Sequence, residues 1–331
     1  MAAHEQESVL PEGEFETGND TVDIWRFGPR SAGLVVVHTA IAFLAVVSNG
    51  MVITVMLSRR RIFNSHTNHL ILHQSIVDAI TGVVFFLHKV VKDPDLVVST
   101  ENTIYDELVC RFLFVDVLLW CMYATSTYNL VVIALERFAA TCHPVRHRKL
   151  LKAQKLKLAM ASCWVIGFGY GLQHSLNFEP FQGQCIPVET DLSEVIAVAL
   201  LVVLIEYIVP VIILIYSYTR ILVMLIKKIH ATNDEHNPFS RGKRAVLKTV
   251  VTVSVMFVVC WTPAEYEYIF ATFTGSQHSD TFYSVVIGLV ACNSCVNPII
   301  YCLMYHRFRS QLKDMLLKRL RGNRVHVVQP L

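Results

Sequence analysis

The chain has 331 residues, of which 53% are hydrophobic and 17% charged, with a formal net charge of +3. A soluble domain carries about 25% charged residues, and the apolar residues here are gathered into long blocks instead of being scattered. Too little polar surface remains to solvate a globule, which excludes a soluble fold.

In chain order, residues 1–32 form an acidic, polar tail. It lacks the apolar core of a cleavable signal peptide. Asn19-Asp20-Thr21 in this tail is a glycosylation sequon. Seven apolar blocks follow, over 33–58, 67–91, 107–140, 154–176, 193–226, 243–272 and 280–304. A bilayer core of about 30 Å is crossed by about 20 helical residues, so each block predicts one span. The fold class is therefore all-α, a seven-transmembrane helix bundle. The segment 177–192 has turn residues between aromatics and predicts a hairpin; 229–242 is polar, with Asn237-Pro238 as a breaker. After the last span, Phe308, Leu312, Leu316, Leu317 and Leu320 recur at helical spacing among Lys and Arg. That predicts a short amphipathic helix lying on the cytoplasmic leaflet against membrane lipids. The expected layout is a tail over 1–32, the bundle over 33–304 and a cytoplasmic helix and tail over 305–331.

Orientation follows from Lys and Arg, which concentrate on the cytoplasmic side. Alternate connections and the C-terminal segment hold 23 of the 29, and the opposite side four. The N-terminus is then extracellular and the C-terminus cytoplasmic, at the plasma membrane. Cys110 and Cys185 both fall on the outer side, where an oxidising medium favours a disulfide. The other seven cysteines read as small buried apolar residues. No Cys/His spacing resembles a metal centre, and nothing points to nucleic acid.

Glu136-Arg137-Phe138 closes the third block, a charged pair at a membrane edge, where charge is costly and usually functional. Asp78 lies inside the second block, with Ser126, Asn293, Ser294 and Asn297 at polar positions of the third and seventh. A carboxylate in lipid needs partners, and two readings stand. Oxygens from several helices hold a small hard cation, or the group is a hydrogen-bonded plug. Pro210, Pro263 and Pro298 interrupt helices and predict kinks.

Together these residues resemble the rhodopsin-like (class A) G-protein-coupled receptors over roughly 33–320. The carried positions are Asn49, Asp78, Glu136-Arg137-Phe138, Trp164, Pro210, Tyr218, Cys260-Trp261-Thr262-Pro263 and Asn297-Pro298-Ile299-Ile300-Tyr301. The resemblance implies a receptor acting through a heterotrimeric G protein. Arg137 is then restrained by Glu136, and Tyr218 and Tyr301 complete the coupling switch. Trp261 and Phe257 relay ligand contact, and Asp78, Ser126, Asn293 and Asn297 form an allosteric sodium pocket. The chain departs from the pattern in three places. Phe138 replaces a tyrosine. Cys110 precedes Arg137 by two residues more than usual, which implies a bulged or longer top of the third helix. Lys243 stands where many members carry an acid, so Arg137 lacks that partner and basal signalling follows.

The ligand is read from the outer half. An amine-binding aspartate would fall at Leu119, and no lysine is available in 280–304 for retinal. Seventeen carboxylates face four basic residues outside the membrane, and Asp116, Glu206, Glu265 and Glu267 lie within the outer half of the bundle. Such a field attracts cations, and Tyr123, Tyr207, Tyr266 and Tyr268 supply aromatic surface for one. A basic or amidated neuropeptide is the favoured ligand, bound by Asp116, Leu119, Trp120, Tyr123, Glu206, Trp261, Glu265 and Tyr268. A small cationic molecule such as a biogenic amine is the alternative. A transporter or channel is remote, since neither inverted repeats nor a ring of pore charges appear. No nucleophile, histidine and acid set supports an enzyme. Only Ser310 among Ser and Thr follows Tyr305, with no cysteine, so weak tail phosphorylation and no palmitoyl anchor are expected.

Overall fold

The computed structural model describes residues 31–92, 98–101, 103–150, 152–188, 190–232, 238–276, 278–304 and 306–325. Asn19 and Asn237 lie outside the described residues, as do the side chains of Lys243 and Tyr301. Among the described residues five helices are long and apolar enough to cross a membrane. They are Ala32–Ser58, His66–Val91, Ile104–Cys142, Leu192–Met224 and Asp280–Ile300. The fourth helix, Ala153–Gln173, and the sixth, Pro238–Thr274, complete a bundle of seven. Both open on Lys- or Arg-bearing turns, which dilute their apolar character.

Local chemistry sets the helix starts. The Ser31 and Ser65 hydroxyls each accept a backbone N–H three residues on, at 3.3 Å, capping the first two helices. Three helices are widened by π turns, at Leu87–Val91, Val109–Phe114 and Leu204–Ile208. The third has an evident cause. Pro210 lacks an N–H and its ring crowds the carbonyl four residues back, at Glu206, so the backbone opens there. The bulge at Val109–Phe114 ends at Asp116, which holds a left-handed φ of 53°. It absorbs the extra residues between Cys110 and Arg137.

The third and fourth helices pack closest. A Cβ added at Gly167 would sit 2.1 Å from Thr125 Oγ1, and one at Gly171 would sit 2.3 Å from Cys121 Sγ. Small residues let membrane helices approach to backbone contact. Gly167→Val is expected to lose folded receptor at the surface, as overpacking of this kind costs about 1–3 kcal/mol or more; near-native surface labelling of the variant would contradict the contact.

Phe178–Phe181 (β1) and Gln184–Pro187 (β2) form the expected antiparallel hairpin. Gln182 and Gly183 carry φ of 47° and 80°, the two left-handed residues that a tight hairpin turn requires. Cys185 is joined to Cys110, tying the hairpin across the bundle to the third helix. A helix over His306–Val325 follows the seventh. Its Phe308 is buried with Val52, Val55, Phe63 and Ile71, so the first and second helices hold it.

Candidate ligand cavity and signalling core

At the hairpin end, a cavity of about 180 Å³ opens between the third to seventh helices. Asp116, Trp120, Glu206, Trp261, Glu265 and Tyr268 all line it. Leu119 and Tyr123 do not. Leu119 packs in the core, and Tyr123 lies beneath the floor, its ring edge-on to Trp261 at 6.1 Å. The third helix turns these two side chains inward, away from the opening.

The four acids at this depth differ in their partners. Asp116 is held by Lys89, by Lys92 at 2.5 Å and by His88 at 2.9 Å, so its charge is already balanced. Both lysines count as loop charges in the sequence, yet the π turn at Leu87–Val91 folds them back over the bundle. Glu267 takes the His278 ring nitrogen at 2.6 Å and the His278 backbone N–H at 3.1 Å. Glu206 and Glu265 have no cationic partner among the described residues, and both line the cavity. Glu206 is 3% exposed and accepts the Tyr170 hydroxyl on one oxygen. Its other oxygen is buried without a hydrogen bond. The proline-induced bulge is what turns this carboxylate into the cavity.

Tyr170 and His174 also line the cavity, and the sequence reading missed both. They are four residues apart, one turn of the fourth helix, and that spacing was the available signal. His174 stacks on Trp120 at 5.5 Å and an interplanar angle of 20°. From the floor, Trp261 meets Phe257 at 5.6 Å, and Phe257 stacks on Tyr207 at 6.3 Å. This aromatic column runs from the cavity into the middle of the sixth helix, where Pro263 interrupts the helical bonding.

Deeper in the bundle, Asp78 is fully buried. Its carboxylate accepts Ser126 Oγ at 2.7 Å, Asn297 Nδ2 at 3.0 Å and Gln74 Nε2 at 3.0 and 3.1 Å. Asn293 makes no hydrogen bond to it among the described residues, and its Oδ1 is buried without a donor. Gln74, four residues before Asp78 on the same face, takes a place in the cluster that the sequence reading left unassigned. Asn49 donates to the Ser294 carbonyl at 2.8 Å and so ties the first helix to the seventh.

These features point one way: a bundle of seven helices, a disulfide-held hairpin over a cavity, and a buried polar centre. The model of the family described as 7 transmembrane receptor (rhodopsin family) matches residues 48–301. The chain belongs to this family. A rhodopsin-family receptor is a multi-pass plasma-membrane protein and not an enzyme. Among curated relatives, galanin receptor 2b of Danio rerio is 26% identical over 314 residues, covering 92% of this chain and 81% of its own. The substance-K receptor of Canis lupus familiaris is 24% identical, with 88% and 78% covered. The allatostatin-A receptor of Bombyx mori is 25% identical, with 83% and 77% covered.

At the end opposite the hairpin, Glu136 accepts two hydrogen bonds, from Arg137 Nε at 3.1 Å and Thr67 Oγ1 at 2.8 Å, and the His147 ring nitrogen stands 3.2 Å away. Phe138, which replaces the family tyrosine, packs its ring against Tyr216 at 5.7 Å and His143 at 5.5 Å. Tyr218 is buried nearby against Ser254.

Proposed function

We propose that the chain is a receptor for a basic or amidated neuropeptide and that it activates a heterotrimeric G protein. One observation carries the ligand class: Glu206 and Glu265, two buried carboxylates without a cationic partner among the described residues, face the same cavity. An ammonium or guanidinium group held between them would be desolvated and hydrogen-bonded by both. Trp120, Trp261 and Tyr268 add aromatic faces for the same group. The relatives' names, for galanin, substance K and allatostatin-A, support a peptide.

The positive-inside bias supports an extracellular hairpin end, with the 1–32 tail and Asn19 outside. The Arg137 end and residues 305–331 then face the cytoplasm. In this reading Glu136, Arg137, Tyr218 and Tyr301 form the face that meets the G protein. Cells expressing the full chain, challenged with amidated basic peptides, should show ligand-dependent nucleotide exchange on a co-expressed G protein. Ion flux in cells lacking any G protein would overturn the receptor reading. A response to small amines alone would overturn the peptide.

A further inference from the structure

The family resemblance implies a sodium ion beside Asp78, and the residues there can be tested for fit. A hard cation needs several oxygen lone pairs converging on one point. The Ser126 and Ser294 hydroxyls both bond the Asp78 carboxylate, and three oxygens converge on one point: both carboxylate oxygens and the Ser126 hydroxyl. Their common neighbour is the amide nitrogen of Gln74, at 3.0, 3.1 and 2.6 Å respectively. That point is filled by a group carrying protons.

The orientation of the amide is fixed from outside the cluster. The Trp164 indole can only donate, and it donates to His73 Nε2 at 2.9 Å. His73 must then accept at Nε2, so its proton is on Nδ1, facing Asn129 Oδ1 at 2.9 Å. With its oxygen committed, Asn129 donates from Nδ2, to the Leu70 carbonyl at 3.2 Å and to Gln74 Oε1 at 2.6 Å. Gln74 therefore keeps its oxygen on Asn129 and presents its nitrogen to Asp78. Each step leaves the next group a single orientation. Turning the Gln74 oxygen toward Asp78 would set two acceptors against each other and break the bond to Asn129. Unmade hydrogen bonds of buried groups cost about 1–3 kcal/mol each.

The Oδ1 atoms of Asn293 and Asn297 are buried without a donor among the described residues, the feature that most favours an added ligand. Asn297, however, presents its nitrogen to the carboxylate. Asn293 is not hydrogen-bonded to it.

We propose that the directed chain Trp164, His73, Asn129, Gln74 ends in an amide that takes the cation's place on Asp78, so that this receptor is insensitive to sodium. The second, third, fourth and seventh helices are then bolted together by hydrogen bonds alone.

The test needs no ligand. The full chain is purified in detergent, and its thermal unfolding is followed as sodium chloride replaces choline chloride at constant chloride. An ion that binds the folded state raises the midpoint saturably. The native protein should give a flat titration. Gln74→Leu, which frees the three oxygens, should acquire a saturable sodium-dependent rise of about 2 °C or more. Gln74→Met, closer in length, serves the same purpose if the leucine variant fails to fold. A saturable rise in the native protein that disappears in Asp78→Asn overturns the proposal. A folded Gln74 variant that stays as flat as the native protein also overturns it, because the amide would then be blocking nothing.

Discussion

Glu206→Gln combined with Glu265→Gln should weaken a cationic agonist by about thirtyfold or more. Truncating or neutralising one side of a buried, hydrogen-bonded charge pair costs about 2–5 kcal/mol, and each 1.4 kcal/mol is about tenfold in affinity. Glutamine keeps the shape and the ability to accept a hydrogen bond, so the loss reports charge. Because glutamine fills the same space as glutamate, surface labelling should not fall. A matched control is available within the same cavity. Asp116 is neutralised by Lys89 and Lys92, so Asp116→Asn should disturb the local fold without the same selective loss for cationic over neutral peptides. Equal potency of a basic agonist at the native and doubly substituted receptors would remove the acidic pair from the ligand site.

The contrast between those acids marks how far the sequence could be read. The seven spans, the hairpin over 178–187 and the helix after the seventh were legible because each rests on a local rule: apolar length, turn chemistry, and period. Cys110 and Cys185 were legible because only these two cysteines lie on the disulfide-permissive side. Asp116, Glu206, Glu265 and Glu267 looked alike as sequence, since all are acids at similar depth. Their difference depends on which cations the fold brings near, and Lys89 and Lys92 reach Asp116 only through a π turn that apolar periodicity does not announce. Glu206 faces the cavity because Pro210 opens the backbone behind it, a consequence of proline chemistry that the sequence reading limited to a kink. Leu119 and Tyr123 share a helix with true lining residues, and only the rotation of that helix sends them into the core. Gln74 escaped notice for a different reason. A glutamine one turn from a buried aspartate is unremarkable until the orientation of Asn129 and His73 shows which of its ends faces the acid.

Arg137→Ala should abolish ligand-stimulated nucleotide exchange while leaving ligand binding in place. The site lies at the far end of the bundle from the cavity, and no residue of the cavity touches it among the described residues. The restraint on this arginine is the more informative half of the prediction. Glu136 by itself offers Arg137 a single bond, at 3.1 Å from the guanidinium Nε. The structure adds a hydrogen bond from Thr67 of the second helix and sets the His147 ring of the short helix Pro144–Leu150 3.2 Å from the same carboxylate. They hold Glu136 in one position, and through it Arg137. Basal signalling is thus set by three groups instead of one. Thr67→Val removes a hydrogen bond to a charged group, worth about 1.5–3 kcal/mol. If the freed arginine shifts the receptor toward its G-protein-binding form, unliganded exchange should rise by severalfold, up to about tenfold, since an equilibrium moves only by the differential stabilisation removed. His147→Ala should raise it further in the same background. The measurement is nucleotide exchange in membranes without peptide, normalised to surface receptor. Unchanged basal exchange in the Thr67→Val, His147→Ala double variant would show that Glu136 does not restrain Arg137 through these contacts.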